Sequence, residues 1–223
     1  MKAWTYGDSW EHFPIEDGEK WVESRTKSTV RIADITRRSF TEPSLSYMRN
    51  ADMVYIDPPW GTSMVRSFYT KAGIMEESLR PNFHQLADAI SARIHEIAPR
   101  VCYIEMSCRH SDIAKNILSK MYPFVQSWPI RYYRKHPAVL LRGGGHCTYA
   151  DFTGIDDTET PNLAVETDRP RILADFCMGR GLSAVAAFEN NVAFVGTELN
   201  KRRLAVTIDR VAKLGGEWEK IDD

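Results

Sequence analysis

The sequence predicts an α/β protein made of one domain, with a mostly parallel sheet, helices on both faces and an antiparallel hairpin on its C-terminal side. Apolar runs of strand length alternate with segments of helical periodicity, which indicates βαβ units and a parallel sheet. Two of the runs stop abruptly at turns rich in proline or glycine. The length of 223 residues, 43% of them hydrophobic, suits one full α/β core.

Composition narrows the class of protein further. The net charge of -1 gives no general attraction to nucleic acid, so any such binding requires a local patch. The four cysteines show no metal-binding spacing, and we expect reduced thiols and no metal. The sequence has no signal-peptide pattern and no apolar run long enough to cross a bilayer. It therefore predicts a soluble, cytoplasmic protein without a membrane partner.

The first 28 residues carry aromatic side chains without clear periodicity, and we expect an irregular segment that packs on the body of the protein. A dedicated contact surface is the alternative. Residues 29–223 then form the main domain, which begins with a strand over residues 30–33 that ends at Asp34. The aromatic side chains of the first segment are Trp4, Tyr6, Trp10, Phe13 and Trp21.

The most informative stretch is the run Met53–Ile56 with the residues that follow it. The run predicts a buried strand that ends where Asp57 begins, because Pro58 and Pro59 cannot donate to a ladder. Each proline also fixes its own φ and biases its predecessor to an extended conformation. The Asp57 carboxylate and the Pro58 carbonyl then form a rigid pair of acceptors beside the indole of Trp60. This array suits an amino group on a flat ring, whereas an ordinary turn is the alternative.

The segment after Trp60 is polar, and we expect residues 61–79 to form a loop that closes over a substrate. A plain exposed loop is the alternative. Helical spacing over residues 86–97, a strand over residues 101–106 and a second helix over residues 113–121 follow. In such sheets ligands bind beyond the carboxyl ends of the central strands. The candidate substrate contacts in the loop are Arg66, Tyr69 and Lys71.

A basic and aromatic window without acids covers residues 129–149 and contains three consecutive glycines. This composition in a glycine-hinged hairpin suits contact with phosphates and probing of a groove. A solvated edge hairpin is the alternative. An acidic loop from Asp151 to Glu159 borders the patch. The candidate DNA-binding residues in the window are Arg131, Arg134, Lys135, Arg142 and His146.

A second motif lies in the C-terminal part of the chain. The apolar run over residues 172–176 leads into a Gly-x-Gly turn at residues 179–181, followed by a helix over residues 182–190. Glycines let the backbone approach a ligand closely and open a helix N-terminus, as nucleotide-type cofactors require. The next strand ends in Glu198, about 20 residues after the turn, where an acid suits ribose hydroxyls. An amphipathic helix follows over residues 201–214.

The two motifs in this order resemble the amino-group DNA methyltransferases that use S-adenosylmethionine. Within that family they resemble the permuted beta class, in which an Asp-Pro-Pro-aromatic motif precedes the glycine loop. The resemblance covers residues 29–215 and implies a Rossmann-like methyltransferase fold. The catalytic residues that it implies are Asp57, Pro58, Pro59 and Trp60. The cofactor residues that it implies are Asp34, Asp57, Asp175, Phe176, Cys177, Gly179, Gly181, Glu198 and Asn200.

The function implied by the resemblance is transfer of a methyl group from S-adenosylmethionine to N6 of adenine in DNA, with the target base flipped out of the helix. Aspartate at the head of the motif favours adenine in the family. N4-cytosine methylation, methylation of an RNA base or a protein amide, and a non-catalytic nucleic-acid-binding subunit are the alternatives.

Family members also carry a long recognition region, whereas this chain leaves only residues 129–170 for DNA contact. We therefore expect low sequence specificity or a very short site, in a restriction-modification or phage context. DNA is the expected partner, and both a homodimer and an additional specificity partner are compatible with the sequence.

Overall fold

The computed structural model describes residues 7–221, so Trp4 and Tyr6 lie outside the described residues. Within residues 7–221 nine strands form one sheet, accompanied by seven α-helices. The strands are β1 Lys20–Glu23, β2 Thr29–Ile32, β3 Met53–Ile56, β4 Val101–Ser107, β5 Phe124–Tyr132, β6 His136–Gly144, β7 Ile172–Asp175, β8 Ala193–Glu198 and β9 Trp218–Ile221. The helices are α1 Ser9–His12, α2 Thr62–Lys71, α3 Phe83–Ile97, α4 Ser111–Ser119, α5 Thr160–Asp168, α6 Leu182–Glu189 and α7 Lys201–Lys213. None of the helices in the described part is both long and apolar enough to cross a membrane.

The sheet is mixed, and its order is β5-β6-β4-β3-β7-β8-β2-β1-β9. Its five central strands, from β4 to β2, run parallel. The flanking pairs β5–β6, β6–β4, β2–β1 and β1–β9 are antiparallel. The prediction of a mostly parallel sheet is thus not confirmed. The short connections of β1 to β2 and of β5 to β6 explain the difference, because tight turns can join only antiparallel strands. The β5–β6 pair is the predicted antiparallel hairpin.

Helices cover both faces of the sheet, as the sequence predicts. Alternate residues of β3 point to opposite faces, so Val54 packs in the layer that contains α3 and α4, and Met53 packs in the layer that contains α6 and α7. A buried stripe on α3 includes Ile90 and Ile94. Each such buried side chain contributes roughly 1.5–3 kcal/mol relative to an exposed one. The Asn82–Gln85 capping box fixes where this helix begins.

The N-terminal segment contributes a strand to the sheet. β1 lies between β2 and β9, which differs from the irregular conformation expected for the first 28 residues. Trp21 of β1 contacts Phe13 edge to face, with ring centroids 6.0 Å apart, and both pack on the layer that contains α7. The Ser9 hydroxyl donates to Asp209 of α7 at 2.7 Å. This segment is therefore tied to the sheet through β1 and to α7 through side chains.

The segment after Trp60 also differs from the expected loop, because its first half is the helix α2. Val65 and Tyr69 are buried one turn apart on this helix, and their spacing of four residues gives it one apolar side. Apart from the half-buried Met64 and Phe68, the remaining side chains of α2 are polar, which explains why composition alone suggests a loop. A packed helix, rather than a mobile loop, therefore follows the proline motif.

The topology creates a crevice beside the central strands. From β3 the chain leads to β4 on one side, and from β7 it leads to β8 on the other side. β3 and β7 are parallel neighbours, so the loops that follow them leave from the same edge of the sheet. A point where the direction of winding reverses is where ligands bind in open α/β sheets. Both predicted motifs lie at this point.

Candidate active site

A cavity of about 160 Å³ opens at the carboxyl edge of β3 and β7. Asp57, which follows β3, and Gly179, which follows β7, both line it. Glu105 of β4 and Asp157 add two further carboxyl groups to the wall. The structure thus brings together two motifs that are more than a hundred residues apart in the sequence.

Asp57 is half-buried at this cavity and is oriented by the residues that follow it. The Trp60 indole N–H donates to Asp57 Oδ1 at 3.1 Å. Burial, followed by the negative charges of Asp175 and Asp157, raises the pKa of Asp57 to about 8. Pro58 is buried, whereas Pro59 lines a neighbouring cavity. The carboxyl group is held in one orientation and is reluctant to ionise before a ligand arrives.

Aromatic side chains from the β5–β6 hairpin form one wall of the same cavity. The ring centroids of Trp60 and Tyr132 lie 4.4 Å apart, and those of Tyr132 and Tyr133 lie 4.3 Å apart. Both tyrosines line the cavity. The register explains their position, because Ala138 of β6 pairs with Ser107 at the carboxyl end of β4 and brings the hairpin tip to this edge. The sequence indicates these tyrosines only as part of the basic window.

The glycine loop is held by two buried acids. Asp175 Oδ1 accepts from the Cys177 backbone N–H at 2.8 Å, and its Oδ2 accepts from the Ser183 hydroxyl at 2.5 Å. Glu198 Oε2 accepts from the Gly179 backbone N–H at 2.7 Å. Burial raises the pKa of Asp175 to about 7 and also raises the pKa of Glu198. Both oxygens of Asp175 are engaged within the loop, so this residue orders the loop.

The two glycines of the turn face different surroundings. Both have positive φ angles, 55° at Gly179 and 74° at Gly181. A Cβ at Gly179 would meet nothing closer than the Cys177 carbonyl at 3.9 Å, so the space beside it is open to a ligand. A Cβ at Gly181 would lie 2.5 Å from Thr207 Cγ2 and 2.9 Å from Thr207 Cβ. Gly181 is therefore required by the packing of the loop against α7.

Replacing Gly181 with alanine is expected to lower the free energy of unfolding by roughly 2–5 kcal/mol, from the strained φ and the overlap with Thr207. The matched control is Gly179→Ala, which has a similar φ without the overlap and should cost about 1–2 kcal/mol. Urea unfolding of both variants measures the difference. Equal losses of stability would contradict the packing role of Gly181.

A second cavity of about 50 Å³ lies next to the first, and Phe68 and Cys177 line both. It is mainly apolar and carries two acids, Asp34 and Glu198. Phe176 also lines it, and its ring packs edge to face with another core phenylalanine. A narrow apolar slot with acids at its rim suits a flat ring that carries hydrogen-bond donors.

Two of the predicted contact residues, Tyr69 and Asn200, have structural roles. Tyr69 is buried and its hydroxyl donates to Asp34 at 2.7 Å, so it lines the second cavity and is not available at the protein surface. Asn200 is the N-cap of α7, where its Oδ1 accepts from the Arg202 backbone N–H at 2.9 Å. Its Nδ2 donates to the Lys71 carbonyl at 2.9 Å. Asn200 therefore joins α7 to the end of α2, whereas the Lys71 side chain is exposed.

Arg142 is not a DNA contact, which corrects the sequence-based prediction. It is 1% exposed and forms two hydrogen bonds to Asp168, at 2.9 Å and 2.7 Å. His146 is exposed but lies at the edge of the sheet away from the cavity. Gly144 of β6 pairs with Val101 at the start of β4, so the chain beyond it is at the edge opposite the cavity. The antiparallel direction of β6 separates His146 from the hairpin tip.

The other predicted basic residues are exposed. Arg131, Arg134 and Lys135 line one open groove at the tip of the hairpin. Arg66 is on the outer side of α2 and is ion-paired with Glu77. The structure therefore reduces the basic patch to the hairpin tip and the exposed side of α2.

Four side chains that line the main cavity belong to no functional pattern in the sequence. Glu105 is 1% exposed within an apolar strand, and a carboxyl group in such a run is the one signal that could have found it. Arg180, Arg203 and Arg210 also line the cavity. The Arg203 guanidinium lies 4.0 Å from the centre of the Phe68 ring. Arg203 and Arg210 lie on α7, and because surface helices commonly carry arginines their spacing gives no signal.

Comparisons with solved structures show which fold this is. The crystal structure of M1.HpyAVI is similar with a TM-score of 0.57 at 13% identity, over 82% of this chain and 98% of that one. TTHA0409, a putative DNA modification methylase from Thermus thermophilus solved with S-adenosyl-L-methionine, is similar with a TM-score of 0.54 at 12% identity, over 82% and 93%. The cytosine-N4-specific PvuII DNA methyltransferase is similar with a TM-score of 0.53 at 8% identity, over 89% and 95%. The chain therefore has the fold of DNA methyltransferases. No protein-family model and no curated protein matches its sequence.

Proposed function

We propose that this protein transfers a methyl group from S-adenosylmethionine to the N6 amino group of adenine in DNA. The main support for the proposal is that Asp57 and the glycine loop line the same cavity, which lies where the direction of winding of the sheet reverses. The shared fold with DNA methyltransferases supports the same conclusion.

The two adjoining cavities fit the two parts of S-adenosylmethionine. The narrow slot suits the adenine ring, with Phe176 beside it and Asp34 as an acceptor for donor groups. Glu198 lies between the slot and Gly179 and suits the ribose hydroxyls. The open space beside Gly179 leaves room for the amino-acid end in the main cavity. The cofactor supplies an electrophilic methyl group on a sulfonium.

Asp57 and the Pro58 carbonyl would accept the two hydrogens of the target amine. The nitrogen lone pair of an exocyclic amine is delocalised into the ring, and these hydrogen bonds favour a tetrahedral nitrogen whose lone pair points at the methyl carbon. A nitrogen–carbon bond then forms, the carbon–sulfur electron pair stays on sulfur, and one amine proton leaves to Asp57 or water. Most of the acceleration comes from alignment and from acceptors that the prolines fix in advance.

The hairpin tip suits the DNA itself. Trp60 and Tyr132 offer aromatic faces that could replace the stacking lost by a flipped base. Arg131, Arg134 and Lys135 lie on the exposed side of the same hairpin, where they could contact phosphates. The region that we assign to recognition, residues 129–170, is short, so we propose a very short site or low specificity.

N4-cytosine methylation is the second candidate, because the fold is shared with a cytosine-N4-specific enzyme. Both bases present an amine to the same acceptors. Incubation with S-adenosylmethionine and unmethylated DNA, digestion to nucleosides and mass analysis separates them. N6-methyl-2′-deoxyadenosine is the expected product, whereas N4-methyl-2′-deoxycytidine would support the second candidate. Neither product from a wide range of DNA sequences would contradict the proposal.

Binding of S-adenosylmethionine should depend on Glu198. Glu198→Ala removes a charged acceptor from the slot and from the Gly179 N–H, and we expect affinity to fall by roughly 10- to 100-fold. Isothermal calorimetry measures this loss. The matched control is Glu219→Ala on β9, an exposed strand at the far edge of the sheet, which should bind as wild type does. A non-catalytic subunit would show no binding even in the wild-type protein.

A further inference from the structure

Glu105 is a buried carboxyl group with an unsatisfied oxygen at the wall of the main cavity. Its side chain lines the cavity and is 1% exposed. Its Oε2 accepts from the Tyr55 hydroxyl at 3.2 Å. Its Oε1 has no hydrogen-bond partner among residues 7–221. Because leaving a buried polar atom without a hydrogen bond destabilises the folded protein, this oxygen requires an explanation.

The position of Glu105 relative to Asp57 follows from strand register. Ile56 of β3 pairs with Ile104 of β4 in parallel, so Asp57 and Glu105 are the next residues on neighbouring strands. Neighbouring strands lie about 4.8 Å apart. Two carboxyl groups at matching positions can therefore meet two adjacent atoms of one flat ligand.

Two hydroxyl groups beside Glu105 determine which of its oxygens can carry a proton. The Tyr55 hydroxyl lies 2.6 Å from the Thr160 hydroxyl, and Thr160 in turn lies 3.1 Å from the Asp157 carbonyl. Each hydroxyl carries one proton. A carbonyl can only accept, so the single Thr160 proton goes either to the Asp157 carbonyl or to Tyr55. A ligand atom that accepts from Oε1 selects the second arrangement, in which Thr160 donates to Tyr55, Tyr55 donates to Glu105 Oε2, and the proton of a neutral Glu105 is on Oε1.

The charge state of Glu105 fits this arrangement. Burial, followed by the negative charges of Asp57 and Asp157, raises the pKa of Glu105 well above its usual value. A neutral carboxyl group can donate a hydrogen bond, which a carboxylate cannot do. When Asp57 is ionised, the cavity wall presents an acceptor, Asp57, beside a donor, Glu105.

We propose that Glu105 is a specificity-determining residue whose Oε1–H donates to the ring nitrogen beside the target amine, N1 in adenine. This inference rests on the proposed function and adds how the base is read. Asp57 and the Pro58 carbonyl accept from the amine, while Glu105 donates to the neighbouring ring atom. Guanine and thymine carry an N–H at the equivalent ring position and a carbonyl in place of the amine, so both contacts would fail. Asp57 and Glu105 together therefore select bases whose amine is next to an unprotonated ring nitrogen.

Base analogues test this contact in the wild-type protein. Oligonucleotides carry adenine, 1-deazaadenine or 7-deazaadenine at the target position, and single-turnover methyl transfer is measured with saturating S-adenosylmethionine. Loss of N1 should slow transfer by about 10- to 100-fold, because the Glu105 donor is left unpaired. The 7-deaza analogue keeps N1 and should react nearly as adenine does. Equal rates for the two analogues would overturn the assignment.

Two variants link the effect to Glu105. Glu105→Met removes the donor and should react with adenine and 1-deazaadenine at rates that differ much less than in wild type. Glu105→Gln keeps an N–H donor and should retain discrimination. Comparing ratios across proteins cancels the intrinsic effect of N1 on the amine. If Glu105→Met discriminates as strongly as wild type, Glu105 does not contact N1. If Glu105→Met fails to fold, the analogue rates in wild type still decide.

Different experimental outcomes would overturn the role of Glu105 and the proposed function. A wild-type protein that methylates adenine but shows no dependence on N1 overturns only the role of Glu105. A wild-type protein that binds S-adenosylmethionine but methylates no DNA overturns the proposed function, whatever Glu105 contacts. Calorimetry of cofactor binding by each variant confirms that a slow rate is not due to a damaged cofactor site.

Discussion

Replacing Asp57 with alanine should lower the rate of methyl transfer by about 10²–10³-fold, the usual cost of removing one fixed polar group that acts on the reacting atoms. Asp57 is the only side chain in the proline motif that can accept a hydrogen from the amine, and Trp60 holds it in place at 3.1 Å. Calorimetry should show nearly unchanged S-adenosylmethionine binding, because Glu198 and the glycine loop are intact. Full turnover by Asp57→Ala would contradict the catalytic assignment.

The pH dependence of the reaction provides a second measure of Asp57. Burial and the charges of Asp175 and Asp157 raise its pKa to about 8, so the free protein holds Asp57 protonated below this pH. The carboxylate is the better acceptor, and the rate at low substrate concentration should rise as pH increases from about 7 to about 9, across this pKa. Asp57→Asn keeps a carbonyl acceptor that does not titrate, and its residual rate should rise less. Identical profiles would show that another group controls the rate.

Replacing Arg142 with alanine should lower the free energy of unfolding by about 3–5 kcal/mol, because it leaves a buried carboxylate without its partner. Although burial acts in the opposite direction, hydrogen bonds from Arg142 and Tyr103 hold the pKa of Asp168 below its usual value. Arg142 also donates to the His146 carbonyl at 2.7 Å. Urea unfolding measures the loss.

Arg131→Ala is the matched control for Arg142. It comes from the same basic window but is exposed at the hairpin tip, so its stability should change by no more than about 0.5 kcal/mol. Its affinity for DNA should instead fall and become less dependent on salt. A stable Arg142→Ala protein with weakened DNA binding would reverse the roles given to these two arginines.

The sequence predicts best those features that local chemistry determines. Asp57 and the two prolines end a strand wherever the rest of the chain lies, and the glycines at 179 and 181 adopt positive φ angles that other residues disfavour. Parallel pairing of β3 with β7 then brings both loops to one edge. Alternation of strands and helices is enough to predict that loops at carboxyl ends meet.

Features that depend on distant contacts could not be predicted in this way. Arg142 resembles its neighbours in the window, and only the position of Asp168 across the fold makes it a buried partner. His146 belongs to the same window, but the direction of β6 carries it to the opposite edge. The hairpin and the β1–β2 turn likewise make the sheet mixed, although its centre is parallel. Amino-acid composition gives neither the direction of a strand nor the residue that pairs with a charged side chain.

A crystal structure with sinefungin tests the central claim most directly. Sinefungin carries an amine in place of the transferable methyl group of S-adenosylmethionine, so the position of this amine marks where the methyl would be. We expect its adenosine in the slot lined by Phe176 and Glu198, and its amine beside Asp57, because the target nitrogen bound by Asp57 must lie about 3–3.5 Å from the methyl carbon. Sinefungin bound outside these two cavities, or with its amine turned away from Asp57, would contradict a single reaction centre formed by the two strand ends.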